Sequence, residues 1–251
     1  MDLVHTYAAG DQVASADLNN IQSQAASLFH VSGSWRGRRP TLESDGVDVV
    51  VGPHDGFAAG TTQADAVFVP AAGRTAVSLG TLAADTFYCV YARNNAGAVA
   101  YSVEAYTGNE PNSALTHKNS GRSRVYVGTF LTNGGATPFP FISIAGRVRY
   151  RVTTTLALAP TMASSGASVA FADVDLAPWL PAHALYAHVI AEVTGTLGQN
   201  GYIRTNATTN AGVPVYAGGA AYGIETDATQ KIEYQRGSAA SVALYVLGYD
   251  E

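Results

Sequence analysis

Residues 86–106 read TFYCVYARNNAGAVAYSVEAY and carry the clearest structural signal in the chain. Two runs rich in aromatic and β-branched residues, Thr86 to Ala92 and Ala98 to Tyr106, flank the turn residues Asn-Asn-Ala-Gly at 94–97. Strand-forming residues on both sides of such a turn are typical of an antiparallel hairpin. This stretch therefore predicts a β-hairpin.

The same pattern continues outward from this hairpin, from Trp35 to the end of the chain. Alternating apolar and polar residues, punctuated by Gly, Pro, Asn and Asp, predict short strands joined by turns. The further predicted strands are 47–51, 66–69, 75–79, 124–131, 139–150, 168–174, 185–194, 201–206, 230–236 and 242–248. A Thr-, Ala- and Ser-rich stretch that begins near residue 152 separates two groups of strands. We therefore predict an all-β protein with two antiparallel β-sandwich or jelly-roll-like domains, 33–152 and 153–251.

Residues 1–32 differ from the rest and are predicted to form an N-terminal anchor with a short helix. Ser15 can cap a helix from Ala16 to Phe29, because its hydroxyl can accept a bond from the first helical turn. The apolar residues of this helix recur at spacings of three, four and three, which places them in one stripe. They are Leu18, Ile21, Ala25 and Leu28. So short a helix is unstable alone, and the stripe needs the body of the protein or other copies of the chain as its partner.

The composition argues against several classes of protein. Charged residues are only 13% of the chain and the formal net charge is −5, which disfavours a nucleic-acid partner. Two arginine clusters, 36–39 and 147–151, could each bind phosphate, but in an acidic protein we expect them to be solvated or paired with carboxylates. No apolar run approaches the ~18 residues of a membrane span. We expect a soluble protein, made in a reducing cytoplasm, in which the single cysteine, Cys89, is a buried and inert thiol.

The sequence holds no familiar catalytic motif, such as a nucleophile elbow, a phosphate-binding loop or a zinc-protease helix. The best metal candidate joins His183 and His188 to Asp173 and Asp175. Two histidines five residues apart on a strand face opposite sides of the sheet, so we expect them not to share an ion. Asp173 and Asp175 share one face and could hold Ca²⁺ or act as an acid/base pair, or lie on a solvated strand end. The sequence thus predicts no enzyme, no bound metal and no cofactor.

Tyrosines in the Gly- and Asn-rich second half give the clearest binding signal. They are Tyr202, Tyr216, Tyr222 and Tyr234, and 216–222 is predicted to be a loop. Tyrosine rings stack on sugar faces, and neighbouring Asn and Gln side chains bond hydroxyl groups. The alternative is that strand tyrosines only cover the edges of the core. Tyr202, Tyr216 and Tyr222 are our candidates for receptor binding.

Three blocks of the chain resemble virion appendage proteins of tailed bacteriophages. Gly10-Asp-Gln-Val13 with Ala16-Asp-Leu-Asn-Asn-Ile21 is similar to the entry motif at the start of tail-fibre and related proteins. Residues 87–99, 126–134 and 138–142 resemble the aromatic strand, turn and Gly- and Pro-punctuated strand pair of that family. Residues 232–236 and 246–251 are similar to its terminal hairpins. The blocks cover about half of the chain, and none is a catalytic signature.

The resemblance implies a structural protein of the virion, commonly a homotrimer. Residues 1–30 would dock on other virion proteins, the helix stripe would join copies, and the β-domains would project outward, with a host-surface glycan or protein as a further partner. The chain departs from the family in having a neutral turn at 131–136 and no long repetitive shaft.

Three functions remain open. A short tail fibre or tail adaptor is the leading hypothesis. A capsid decoration or head-fibre protein is its rival, and a host-glycan hydrolase that uses Asp173 and Asp175 is the third.

Overall fold

The computed structural model describes Trp35 and residues 38–59, 67–151, 161–194, 199–216, 219–238 and 241–251. The predicted helix at 16–29 lies outside the described residues, and so does its stripe of Leu18, Ile21, Ala25 and Leu28. Across the part that is described, no helix has the length and apolar character that crossing a membrane would require.

The described part of the chain consists of strands and their connections without any helix, and all the strand pairs are antiparallel, which confirms the predicted all-β class. The strands are β1 (Leu42–Ser44), β2 (Val49–Val51), β3 (Ala58–Ala59), β4 (Val67–Phe68), β5 (Thr75–Val77), β6 (Phe87–Asn95), β7 (Ala98–Ala105), β8 (His117–Lys118), β9 (Gly121–Leu131), β10 (Phe141–Ile144), β11 (Arg147–Tyr150), β12 (Thr161–Gly166), β13 (Ala172–Asp175), β14 (Tyr186–Thr194), β15 (Asn200–Thr205), β16 (Val213–Tyr216), β17 (Ala220–Glu225), β18 (Lys231–Gln235) and β19 (Ser241–Asp250).

The largest sheet has nine strands. Eight of its strands follow the order β17-β14-β19-β11-β10-β1-β2-β5, and β12 pairs with β19 as well. Strand β19 is central, because it pairs with β14 along one edge and with β11 and β12 along the other. This sheet takes strands from both sides of residue 152, where the sequence predicts a domain boundary. The division into two domains stays a prediction.

Two four-stranded sheets cover one face of the large sheet. The first has the order β7-β6-β9-β8 and the second β13-β18-β15-β16, while β3 and β4 form a separate pair. In the large sheet, Val148 lies opposite Tyr249, and Tyr249 lies opposite Ala187. All three are buried, so they mark the covered face. The Tyr249 hydroxyl donates to the carbonyl oxygen of Thr129 in β9 at 3.3 Å, which places the first small sheet on that face.

The second small sheet packs on the same face, further along β19. Val242, Leu244 and Val246 alternate along that strand and are fully buried. A Cβ atom added to Gly201 of β15 would lie only 2.6 Å from Cγ2 of Val242, so the two backbones approach closely. Glycine is therefore the residue that fits at position 201. The result is a sandwich-like arrangement in which most of the buried apolar side chains of the described residues form one large core, and Cys89, Tyr91 and Tyr126 form a smaller cluster beside it.

The β6–β7 hairpin confirms the first sequence prediction. Asn95 pairs with Ala98, and the two turn residues between them, Ala96 and Gly97, have φ angles of 52° and 89°. Positive φ at both central positions defines the type I′ turn, whose twist suits a two-residue hairpin. Asn94 accepts a bond from the Gly97 backbone N–H at 2.8 Å and so fixes the turn.

The structure also corrects the strand prediction. The single strand predicted at 139–150 is a second hairpin, β10 and β11, which turns at Ala145 and Gly146 with φ angles of 53° and 85°. Alanine carries no turn signal, so the sequence pattern hides this break. Strands β1, β3, β8, β12, β16 and β17 were also not predicted, because they are short or rich in small residues.

Candidate functional site

Two of the candidate tyrosines lie together on the outward face of the second small sheet. Residues Gly201 and Ile203 of β15 are buried against the large sheet, so Tyr202 between them faces away from it. In the strand register, Tyr202 lies opposite Pro214 and Gln235, and Asn200 lies opposite Tyr216. We call Asn200, Tyr202, Pro214, Tyr216 and Gln235 the tyrosine face. Tyr216 is 56% exposed, the more exposed of the two rings.

The other two tyrosines face the core. Tyr222 lies in β17 two residues before the buried Ile224, on the same side of that strand, and its hydroxyl donates to the Pro214 carbonyl oxygen at 3.0 Å. Tyr234 lies opposite the buried Ile203. The predicted loop at 216–222 is thus wrong at both ends, since Tyr216 ends β16 and Tyr222 lies within β17. The Gly and Ala residues at 217–221 are typical of a loop, which explains the wrong prediction.

Polar side chains hold the tyrosine face in place. The Asn200 side-chain amide donates to the Tyr202 hydroxyl at 2.8 Å, and the Ser238 hydroxyl donates to Asn200 Oδ1 at 2.9 Å. Gln235 donates to the carbonyl oxygen of Val169 at 2.6 Å. These bonds hold Asn200, Tyr202 and Gln235 on an uncharged surface, which suits stacking on a neutral partner.

Charged residues occupy the opposite end of this outward face. Arg204 forms an ion pair with Glu233 and stacks with its guanidinium carbon 3.6 Å from the ring centroid of Phe171. Lys231 pairs with Asp173 at 3.3 Å. Asp173 and Asp175 share one face, as the alternation predicts, and Asp175 accepts a bond from the Ala177 backbone N–H.

A second polar site lies inside the protein, where the first small sheet meets the end of β19. We call Arg39, Tyr126, Thr129, His183 and Glu251 the Glu251 cluster. The Glu251 side chain is fully buried; its Oε2 is 2.5 Å from Arg39 Nη1. Its Oε1 accepts bonds from the Tyr126 hydroxyl at 2.8 Å and the Thr129 backbone N–H at 3.1 Å. His183 Nε2 lies 3.6 Å from the same oxygen.

The partners of Glu251 decide its charge. Burial by itself would raise the pKa of this carboxyl, but the neighbouring His183 ring and the charge of Arg39 hold the pKa below its ordinary value. Tyr126 and Thr129 add neutral donors to the same carboxylate. A buried ion with so many partners is satisfied internally, so we assign the cluster a structural role. No sequence pattern reveals it, because its contacts span up to 212 residues.

The residues of the candidate metal site are held apart by other partners. His183 belongs to the Glu251 cluster, whereas Nε2 of His188 lies 2.8 Å from Asp250 Oδ1 on the opposite face of the large sheet. His183 lies in a turn before β14 and His188 lies within that strand, so the turn separates the two side chains and alternation along one strand does not apply to them. Among the residues that the structure describes, no group of three or more His, Cys, Asp or Glu side chains could hold a metal ion.

Cys89 lies fully buried in β6, as the sequence predicts. Burial raises the pKa of its thiol to about 12, which keeps the sulfur protonated at neutral pH.

Comparison with known proteins adds no family: no protein-family model matches the chain, and no curated protein is significantly similar to it.

Proposed function

We propose that the chain is a structural component of a tailed-phage virion, a short tail fibre or tail adaptor that acts by binding and catalyses no reaction. Residues 1–30 attach it to other virion proteins, and the stripe of Leu18, Ile21, Ala25 and Leu28 joins copies, three in the family that it resembles. The β-body then presents the tyrosine face to a glycan or protein on the host surface.

The observation that carries the recognition part of this proposal is the placement of Tyr216. Its ring is more than half exposed at the end of β16, next to the outward-facing Tyr202. Large aromatic side chains that stay exposed on a rigid sheet are typical of binding surfaces, where they contribute contact area at low entropic cost. The virion part of the proposal is supported by the three resembling blocks, of which the second corresponds to β6, its turn and β9.

Adsorption of the purified protein to host cells tests the recognition part. We expect Tyr216→Ala to weaken binding by at least about fivefold, which corresponds to roughly 1 kcal/mol for one aromatic contact. Tyr186→Ala is the matched control, because Tyr186 is 45% exposed on the other side of the molecule, where it lies opposite Asp250 in the large sheet. Equal binding by the two variants would contradict the tyrosine face as the receptor site.

A substitution at Tyr222 tests whether this residue belongs to the binding surface or only to the core. Tyr222→Phe removes only the bond to Pro214, so adsorption should stay within about twofold of wild type if the ring acts as a core residue. A loss as large as that of Tyr216→Ala would instead place Tyr222 in the binding surface.

Deletion of residues 1–30 tests the virion part. The shortened chain should keep the far-ultraviolet spectrum of a β-protein but be absent from purified particles, whereas the full-length chain supplied in the same way is incorporated. Light scattering should show the full-length chain as a larger oligomer than the shortened one. Incorporation of the shortened chain at normal copy number would overturn the anchoring role.

A further inference from the structure

A histidine lies inside an aromatic cluster where the segment after β2 packs on the first small sheet. The His54 side chain is only 9% exposed. Its ring centroid lies 4.9 Å from that of Trp35 and 5.9 Å from that of Phe57, and its Nε2 atom lies 3.0 Å from the hydroxyl oxygen of Tyr101 in β7. We call Trp35, His54, Phe57 and Tyr101 the His54 cluster. The backbone of His54 exchanges two hydrogen bonds with Ala71, which hold the ring in this position.

The two ring nitrogens of His54 are in different environments. Nε2 has the Tyr101 hydroxyl as its partner, whereas the buried Nδ1 atom has no hydrogen-bond partner within the described part of the chain. In the neutral ring, Nε2 can donate to Tyr101, so that only a lone pair on Nδ1 stays unpaired. Protonation converts Nδ1 into an N–H donor without an acceptor and adds a charge to the buried ring. The cluster therefore accommodates the neutral ring better than the charged one.

The groups that face the ring offer a proton little compensation. The two apolar aromatic rings of the cluster carry no charge, and Ala71 contributes only main-chain groups. Tyr101 is the titratable partner from β7, and burial raises the pKa of its hydroxyl to about 12, so that it stays neutral. Burial also lowers the pKa of His54 below its ordinary value, and the charge of Asp55 opposes this effect without cancelling it.

The same cluster holds Trp35 against the first small sheet. The indole Nε1–H of Trp35 donates to the carbonyl oxygen of Tyr126 in β9 at 2.7 Å, and the backbone of Trp35 forms an isolated bridge with Phe57. The rings of Trp35 and Phe57 meet edge to face, with their centroids 5.3 Å apart. His54 contacts both rings, so a charge on His54 acts directly on the contacts that hold Trp35.

We propose that the His54 cluster is a pH switch, which holds Trp35 in place at neutral pH and releases it when His54 binds a proton. The stabilising effect of the neutral ring is complete above the unfolded pKa of histidine, about 6.5, and is lost as the pH falls through the lower folded-state value. Trp35 follows the N-terminal anchor in the sequence, so its release would loosen the β-body from that anchor. This consequence rests on the proposed function, whereas the pH response of the cluster does not.

NMR of the purified full-length protein tests the switch between about pH 8 and pH 5, the range in which histidine titrates. The chain has two tryptophans, so the indole N–H of Trp179 serves as the reference for the intrinsic pH dependence of hydrogen exchange. We expect the exchange rate of the Trp35 indole, relative to that of Trp179, to rise at least about fivefold on acidification. The midpoint should coincide with the pKa of His54 read from its ring signals. Glu251, with its lowered pKa, titrates below this range.

Two variants remove the titrating ring in different ways. His54→Gln can still donate to Tyr101, and His54→Phe keeps a ring of similar shape, so the relative exchange rate should stay constant with pH in both. His117→Gln is the matched control and should respond like wild type, because burial also lowers the pKa of His117 but its ring lies outside the cluster, beside the Thr116 hydroxyl.

Two results would overturn the switch. A folded-state pKa of His54 at or above about 6.5 would show that the Trp35 ring stabilises the charged imidazole, and this measurement needs no variant. A rise in Trp35 exchange that persists in both His54 variants would assign the response to another group, such as His183 beside Tyr126. Both readouts come from the isolated protein, so they do not depend on virion assembly or receptor binding.

Discussion

The Glu251 cluster gives the sharpest test of how the fold is held together. Glu251→Gln keeps the size and shape of the side chain but removes its charge. The variant leaves the Arg39 guanidinium, which is only 16% exposed, without its carboxylate. Removing one partner of a buried ion pair typically costs 3–5 kcal/mol, because the remaining charge stays desolvated. Since Arg39 retains some water contact, we expect a loss of about 3 kcal/mol in the free energy of unfolding.

The neighbouring residue provides the control. Asp250 is the last residue of β19 and faces the other side of the sheet, where its partners are Arg147, which is 62% exposed, and His188. Exposed ion pairs contribute about 0–1 kcal/mol, so Asp250→Asn should cost far less than Glu251→Gln. In urea denaturation with a slope near 3 kcal/mol/M, Glu251→Gln should lower the midpoint by about 1 M without changing the slope. Equal shifts in the two variants would refute the reasoning.

The same carboxylate predicts a pH dependence. Because the pKa of Glu251 is lower in the folded protein than in the unfolded chain, its stabilising effect is complete above the unfolded value of about 4.3. That effect is lost as the pH falls through the folded-state value. Wild type should therefore lose more stability than Glu251→Gln between pH 6 and roughly pH 3. Parallel curves for the two proteins would show that Glu251 does not titrate differently on folding.

Three further predictions concern single positions. Ala145→Asn should raise the free energy of unfolding by about 0.5–1 kcal/mol, because asparagine tolerates the left-handed conformation of the β10–β11 turn better than alanine; an unchanged or lower melting temperature would contradict this. Gly201→Ala should cost about 1–3 kcal/mol by overpacking against Val242, and Val242→Ala in the same chain should recover part of that loss in a double-mutant cycle. Cys89 should resist thiol reagents at neutral pH until urea unfolds the protein, and rapid labelling of the folded chain would show that the thiol is accessible.

Local chemistry explains which parts of the fold could be predicted. The β6–β7 hairpin was predictable, because Asn94 and Gly97 supply the residues that its turn needs. The β10–β11 hairpin was not predictable, because Ala145 occupies the first turn position, where Asn, Asp or Gly is typical. Strand β17 was missed for a related reason: its Ala and Gly residues have low strand propensity, and pairing with β14 overrides it. Strand β16 was missed because it is short and contains Pro214, which argues against a strand.

Some features of the candidate site could also be predicted from local sequence, and others could not. Tyr202 and Tyr216 were predicted from residue type alone, but only the strand register shows that they share an outward face while Tyr222 turns inward. Alternation correctly placed Asp173 and Asp175 on one side of β13, since it depends on neighbouring residues. The Glu251 cluster joins residues far apart in the chain, and no local pattern contains that information.

The end of β19 couples the two predicted halves of the molecule through its consecutive acidic residues. Successive residues of a strand face opposite sides, so Asp250 and Glu251 act on different faces of the large sheet. Each carboxylate lies between an arginine from before residue 152 and a histidine from after it. These partners are Arg147 and His188 for Asp250, and Arg39 and His183 for Glu251. Because the β11–β19 ladder runs between the same segments, residues 33–152 alone would expose both a strand edge and an unpaired buried arginine. The sheet that carries the second small sheet and its tyrosine face thus depends on contacts made by the first half of the chain.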